Sequence, residues 1–198
     1  RILKNRVEGR LQLTAGGGRG LSNVLVSDNE VLGAKANGVA LSTLSDNVLF
    51  ENIVIERNIV RNAQSIGIFV GPDKPSAQGG TFRSIRISEN RIDGLRNRFT
   101  YGVFIRAPKD GISGLEIIAN KLNGRFSAKA TAIRLVDDHG HATREIKNVV
   151  ICSNEGRNFS RGIWLQAVNG AVLRGNDFSN PRALTAEPQY NRAIRQLG

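Results

Sequence analysis

The densest run of ionisable side chains in the sequence is Asp137-Asp138-His139-Gly140-His141. Carboxylates beside imidazoles can act as a paired acid and base, or ligate a metal. The run directly follows Ala132–Val136, a segment that carries Arg134. The alternative is a polar turn with two exposed histidines. A second set of candidates comes from the segments Gly38–Leu41, Gly67–Val70, Gly102–Ile105, Ala132–Leu135 and Gly162–Leu165. Each has a small residue, an apolar one, a variable one and an apolar one. The variable residues are Ala40, Phe69, Phe104, Arg134 and Trp164, and two positions on stand Ser42, Gly71, Arg106, Val136 and Gln166. Aromatic faces pack on sugar rings, and arginine meets carboxylates through a bidentate fork. The stretches before these segments are basic: Arg96, Arg98 and Tyr101, then Arg125 and Lys129, then Arg157 and Arg161.

The elements that hold these residues are set by a repeat. An Asn with apolar residues at minus 5 and minus 3, and usually one at plus 2, recurs at Asn29, Asn58, Asn90, Asn120, Asn154 and Asn176. Asn5 fits at its visible positions, with Ile2 and Val7, while Asn154 departs from the rule with Gly156 at plus 2. Insertions between repeats must fall in loops. The glycine-led segment that follows most of these Asn residues alternates apolar and variable positions, the period of a half-buried strand. Two or three short strands per ~25–30 residues predict a solenoid, because no unit can bury its own apolar face and stacking does so. If every coil turns at the same place, the Asn side chains stack and bond one another and the turn backbone, and Asn tolerates a left-handed turn conformation. In such a stack, coils lie ~4.8 Å apart, so Phe69, Phe104, Arg134 and Trp164 line up on the solvent side of one sheet. There they face a ligand, or stack on one another beneath a loop.

The 198 residues suffice for one domain with a sizeable core. With 22 Gly and only 5 Pro, the composition is neither collagen-like nor disordered. No apolar run approaches the ~20 residues of a membrane span, and no signal peptide is visible. The chain opens in what reads as mid-repeat, so an upstream portion is expected. Cys152 is the sole cysteine and cannot form a disulfide within the chain. Net charge is +11 and the pI about 10.8, a field that draws polyanions: nucleic acid, an anionic membrane surface or an acidic polysaccharide. Nucleic acid is the weaker reading, for there is no basic helix and no nucleic-acid motif. Gly16-Gly17-Gly18-Arg19-Gly20 lacks the Lys-Ser/Thr and helix of a phosphate-binding loop.

The repeat resembles that of the right-handed parallel β-helix, the pectate-lyase-like superfold of polysaccharide lyases, glycoside hydrolases, alginate epimerases and phage tailspikes. The resemblance covers roughly residues 2–180. It implies an all-β fold of about six coils, with the Asn ladder at the turn after the second strand of each coil. It also implies that the glycine-led run is the first strand of the next coil, and that substrate lies against it. Under it, Phe69, Phe104, Arg106, Trp164, Arg98, Tyr101, Lys129 and Arg161 line the substrate face. A uronate lyase or epimerase needs the sugar carboxylate neutralised, a base for the C5 proton and an acid for the leaving oxygen. Arg134 or Arg106 would do the first; His139, Lys129 or Tyr101, with Asp137, Asp138 and His141 alongside, would do the rest.

The motifs depart from the family. Polygalacturonase-like enzymes carry NTD, DD, GHG and RIK on separate coils, whereas here DDHGH is one run and NTD and RIK are absent. Gly102–Asp110 and Ala132–His141 only loosely resemble the Tyr-Gly-Phe-Asp-Pro-His strand end of alginate epimerases. Calcium fits the family, but Asp73 and Asp110 sit at different offsets and no calcium site is evident. Residues 181–198 lose the repeat, and Pro188, Tyr190, Ile194 and Leu197 suit a short capping helix. The expectation is therefore an extracellular or periplasmic lyase or C5-epimerase acting on an acidic polysaccharide. The alternative is a non-catalytic glycan-binding module of a tailspike, adhesin or other surface protein, trimeric if tailspike-like.

Overall fold

The computed structural model describes residues 1–44, 47–73, 80–97, 99–125, 129–137 and 145–178, and the backbone of 184–186 and 192–197. The chain winds through three strands per coil. The first coil is β1 (Ile2–Leu3), β2 (Arg6–Glu8) and β3 (Leu11–Ala15); the second is β4 (Leu21–Ser27), β5 (Glu30–Leu32) and β6 (Asn37–Thr43). The third is β7 (Leu49–Glu56), β8 (Ile59–Arg61) and β9 (Ile66–Pro72); the fourth is β10 (Thr81–Ser88), β11 (Arg91–Asp93) and β12 (Tyr101–Arg106). The fifth and sixth are β13 (Ile112–Ile118), β14 (Lys121–Asn123), β15 (Thr131–Val136), β16 (Ile146–Cys152), β17 (Glu155–Arg157) and β18 (Arg161–Leu165). A seventh follows as β19 (Val168–Arg174), β20 (Asp177–Phe178) and β21 (Leu184–Ala186), and β22 (Arg192–Leu197) opens an eighth. Like strands stack in parallel into one 8-stranded sheet and two 7-stranded sheets. The fold is an all-β parallel solenoid, as the repeat requires. It has seven three-strand coils where about six were expected.

The tail differs from expectation. Where a helix was expected around Ile194 and Leu197, β22 pairs in parallel with β19, with Ala171 opposite Ile194. Apolar residues three apart fit a helix, but the open edge of the sheet offers a row of unpaired backbone groups that a further strand satisfies. Pro188 and Tyr190 lie outside the described residues.

The apolar residues of the repeat pattern point inward. Ile53, Ile85, Leu115 and Val149 stack in register, as do Val60, Ile92 and Leu122, and all are buried. Inside the coil, Phe50 and Phe82 stack with centroids 4.6 Å apart and planes 4° from parallel. The glycine-led strands begin with Gly because the next coil's short strand fills the space. A Cβ on Gly67 would lie 2.4 Å from Ile92 Cδ1, and one on Gly102 would lie 2.6 Å from the Ala132 carbonyl oxygen. The fifth coil exchanges the partners: Ala132 stands in the Gly position, and the facing short-strand residue becomes Gly156. The departure of Gly156 from the repeat is thus the complement of Ala132.

The Asn ladder forms with one correction. Asn58 Nδ2 donates to Asn90 Oδ1 at 3.0 Å, Asn90 Nδ2 to Asn120 Oδ1 at 3.0 Å, and Asn120 Nδ2 to Asn154 Oδ1 at 2.9 Å. The left-handed residue of this turn, however, is the one before the Asn: Lys4, Asp28, Arg57, Glu89, Ala119, Ser153 and Gly175 all have φ between 51° and 58°. The Asn side chain needs a direction that reaches the next rung, and its neighbour absorbs the bend.

Candidate functional site

The strands β6, β9, β12, β15 and β18 place Ala40, Phe69, Phe104, Arg134 and Trp164 directly opposite one another, the column expected from the repeat. The first part of the column is not open to solvent. Ala40, Phe69, Phe104 and Val136 form a second small core outside the coil, with Ile66 and Tyr101 packed against it, and Phe104 is only 4% exposed. Their ring faces meet neighbours rather than water. Phe69 and Phe104 stand 5.8 Å apart, Tyr101 and Phe104 4.8 Å. The Arg106 guanidinium lies over both Phe rings, 5.6 and 5.3 Å from their centroids.

Toward the later coils the column becomes half-exposed and alternates cation with ring. The Arg134 guanidinium is 5.3 Å from the Tyr101 and Phe104 centroids and 4.2 Å from that of Trp164. Its Nη1 donates to the Tyr101 hydroxyl at 2.7 Å. Arg161, at the start of the same strand, covers Trp164 at 4.4 Å. Thus Arg106, Phe104, Tyr101, Arg134, Trp164 and Arg161 make one continuous stack across coils four to six. Cation–ring contacts of this kind contribute about 0.5–2 kcal/mol each, more as water is excluded. The sequence column contained the order of this stack. It did not reveal that Arg161 folds onto Trp164 or that Tyr101 reaches Arg134.

The remaining candidates divide. Lys129 sits over the exposed Phe99 ring at 4.6 Å, and Arg125 Nη1 donates to the Arg96 carbonyl at 2.9 Å, so both belong to the corner leading into the glycine-led sheet. Arg157 lies on the short-strand sheet, opposite Asn123, and is turned away from the stack. In the second column Ser42 is buried and accepts a bond from Gln12 Nε2 at 2.9 Å, while Gln166 is half-buried. Of the acidic and histidine run, Asp137 is buried at the end of β15. Asp138, His139 and His141 lie outside the described residues, as does Arg98. Among the described residues, no group of three His, Cys, Asp or Glu side chains could hold a metal. No helix in the described residues is long and apolar enough to cross a membrane.

On the long- and short-strand sheets several cations meet carboxylates, Arg57 with Asp28 and Glu56, Arg61 with Glu30, Arg86 with Glu116, Arg91 with Asp93, and Lys121 with Glu155, while Arg83, Arg157 and Arg174 there meet none among the described residues. There the Arg57 guanidinium and the Ser27 hydroxyl hold the Asp28 carboxyl below its usual value. Among the described residues, Arg10, Lys35, Arg96 and Arg161, on the glycine-led sheet and its corner, pair with no carboxylate.

No family model matches the chain, and no curated protein matches it. Among solved structures it is similar to the Streptococcus pneumoniae surface protein and adhesin PfbA, at 11% identity and TM-score 0.36, over 98% of this chain and 67% of that one. It is also similar to the A-module of the Azotobacter vinelandii mannuronan C-5 epimerase AlgE6, at 12% identity and TM-score 0.32, over 95% of this chain and 58% of that one. Likenesses this distant carry no functional argument.

Proposed function

We propose that this protein binds an acidic, uronate-containing polysaccharide across coils four to six of the glycine-led sheet. The observation that carries the reading is the half-exposed stack of Arg134, Trp164 and Arg161. Contact with the Trp164 ring orders the Arg161 guanidinium plane, and a guanidinium held by its face presents an in-plane N–H fork suited to a carboxylate. The half-exposed Trp164 indole adds aromatic surface beside these cations for a sugar ring. The net charge of +11 draws such a polymer to the surface. Equilibrium binding to polygalacturonate and to alginate, each against a neutral glucan of equal length, tests this. Trp164→Ala and Arg161→Gln should each weaken uronate binding about tenfold. Equal affinity for the neutral glucan, or stronger displacement by single-stranded DNA than by the second uronate polymer, defeats the reading.

A catalytic version, a polysaccharide lyase or C5-epimerase, is favoured by one contact. The 2.7 Å bond between Arg134 and the Tyr101 hydroxyl sets a proton-carrying group beside the cation that would hold the uronate carboxylate. Abstraction of the C5 proton then leads either to elimination, leaving an unsaturated uronate, or to reprotonation on the opposite face. Ultraviolet detection of unsaturated ends and deuterium uptake at C5 in heavy water report the two outcomes. If Tyr101→Phe binds the polymer normally and retains all turnover, Tyr101 has no part in proton transfer.

A further inference from the structure

A groove of about 860 Å³ runs along the corner of the first three coils, between the short-strand and glycine-led sheets. It is lined by the charged Glu8, Arg10 and Lys35, the apolar Leu32 and Ala36, and Asn62 from the third coil. Gly9 and Gly33 shape it. Both have left-handed φ values, 114° and 63°, and no atom lies within 4 Å of where their Cβ would be. Arg10 and Lys35 come from consecutive coils and are exposed, and among the described residues neither meets a carboxylate. Glu8 leaves the groove with an excess of one positive charge.

We infer that this corner groove is a second binding site for an anionic sugar, its carboxylate held between Arg10 and Lys35 and its ring laid on Leu32 and Ala36. Among the described residues, the lining contains no aromatic side chain. That argues against stacked bases, which single-stranded nucleic acid would need, and suits the C–H face of a sugar with the Asn62 amide serving its hydroxyls. The groove cations lie on coils one and two, while Arg134 and Arg161 lie on coils five and six. At ~4.8 Å per coil, three to five coils separate the residues of the two sites by ~14–24 Å along the axis. A long polymer therefore reaches both, whereas a disaccharide occupies one at a time. The ligand class rests on the function proposed above, but the site does not.

Amide and indole NMR shifts during titration with digalacturonate separate the two claims. The expected result is saturable shifts at Gly33, Lys35 and Asn62 as well as at the Trp164 indole. In the Arg10→Gln/Lys35→Gln double variant the groove shifts should vanish and the Trp164 shift persist. The same variant should bind long polygalacturonate about ten- to a hundredfold more weakly, because a second point of attachment is lost. Groove shifts without a Trp164 shift support the groove and overturn the glycine-led face. Trp164 shifts alone overturn the groove. Stronger groove shifts with a single-stranded oligonucleotide, or with inorganic sulfate, than with digalacturonate overturn its assignment to a sugar.

Discussion

Asn90 shows how much of this fold depends on single side chains. Its Oδ1 accepts from the backbone N and the Nδ2 of Asn58, both at 3.0 Å, and its Nδ2 donates to the Ile55 carbonyl at 2.9 Å. All of these groups are buried, so Asn90→Ala leaves donors and an acceptor unpaired in a dry interior. Urea unfolding should show a loss of about 3 kcal/mol or more. The residue before the ladder makes the opposite case. Ala119 holds φ at 54°, a conformation that costs a side chain about 1–2 kcal/mol and glycine almost nothing. Ala119→Gly should therefore stabilise, by about 0.5 kcal/mol once the greater freedom of unfolded glycine is counted. Asp28 sets a pH dependence. Its carboxyl titrates below its ordinary 3.8 because it accepts from Arg57 and Ser27. A depressed carboxyl contributes stability that is present above the ordinary value and lost as pH falls through the folded one. Unfolding midpoints measured down the acid limb should fall less steeply for Asp28→Asn than for the wild type.

At the scale of strands, spacing alone predicted the inward positions. Ile53, Ile55 and Val60 follow from the pattern around Asn58, and they are buried as the pattern requires. Gly67 was visible as the start of a strand, but its reason was not, since Ile92, which fills its space, lies 25 residues away in another coil. Gly67→Ala should cost about 1–3 kcal/mol by forcing Ile92 or the Gly102 carbonyl aside, measurable by thermal unfolding. The outward column was legible in order and misleading in exposure. Phe69 and Phe104 occupy positions that alternate away from the coil, yet Arg106 and Tyr101 close over them. Alternation tells which side of a sheet a residue is on, and says nothing of which neighbouring side chains fold across it on that side, here those at the two ends of β12. The tail was misread for a related reason: the spacing of Ile194 and Leu197 fits a helix, but a sheet edge nearby made a strand the better partner.

For the molecule as a whole, the sequence determined the solenoid, the ladder and the net charge of +11. These follow from local periodicity and counting, which every repeat states again. Only the tertiary structure decided where the charge is left over. Carboxylates neutralise some cations of two sheets by pairing across coils, as Arg57 reaches back to Asp28 and Lys121 forward to Glu155, and leave Arg83, Arg157 and Arg174 there without one among the described residues. The corner and the glycine-led sheet keep Arg10, Lys35, Arg96 and Arg161 without such partners among the described residues. Pairing depends on which residues stack one coil apart, and intervals of 22 to 34 residues between ladder positions hide that alignment until the loops are placed.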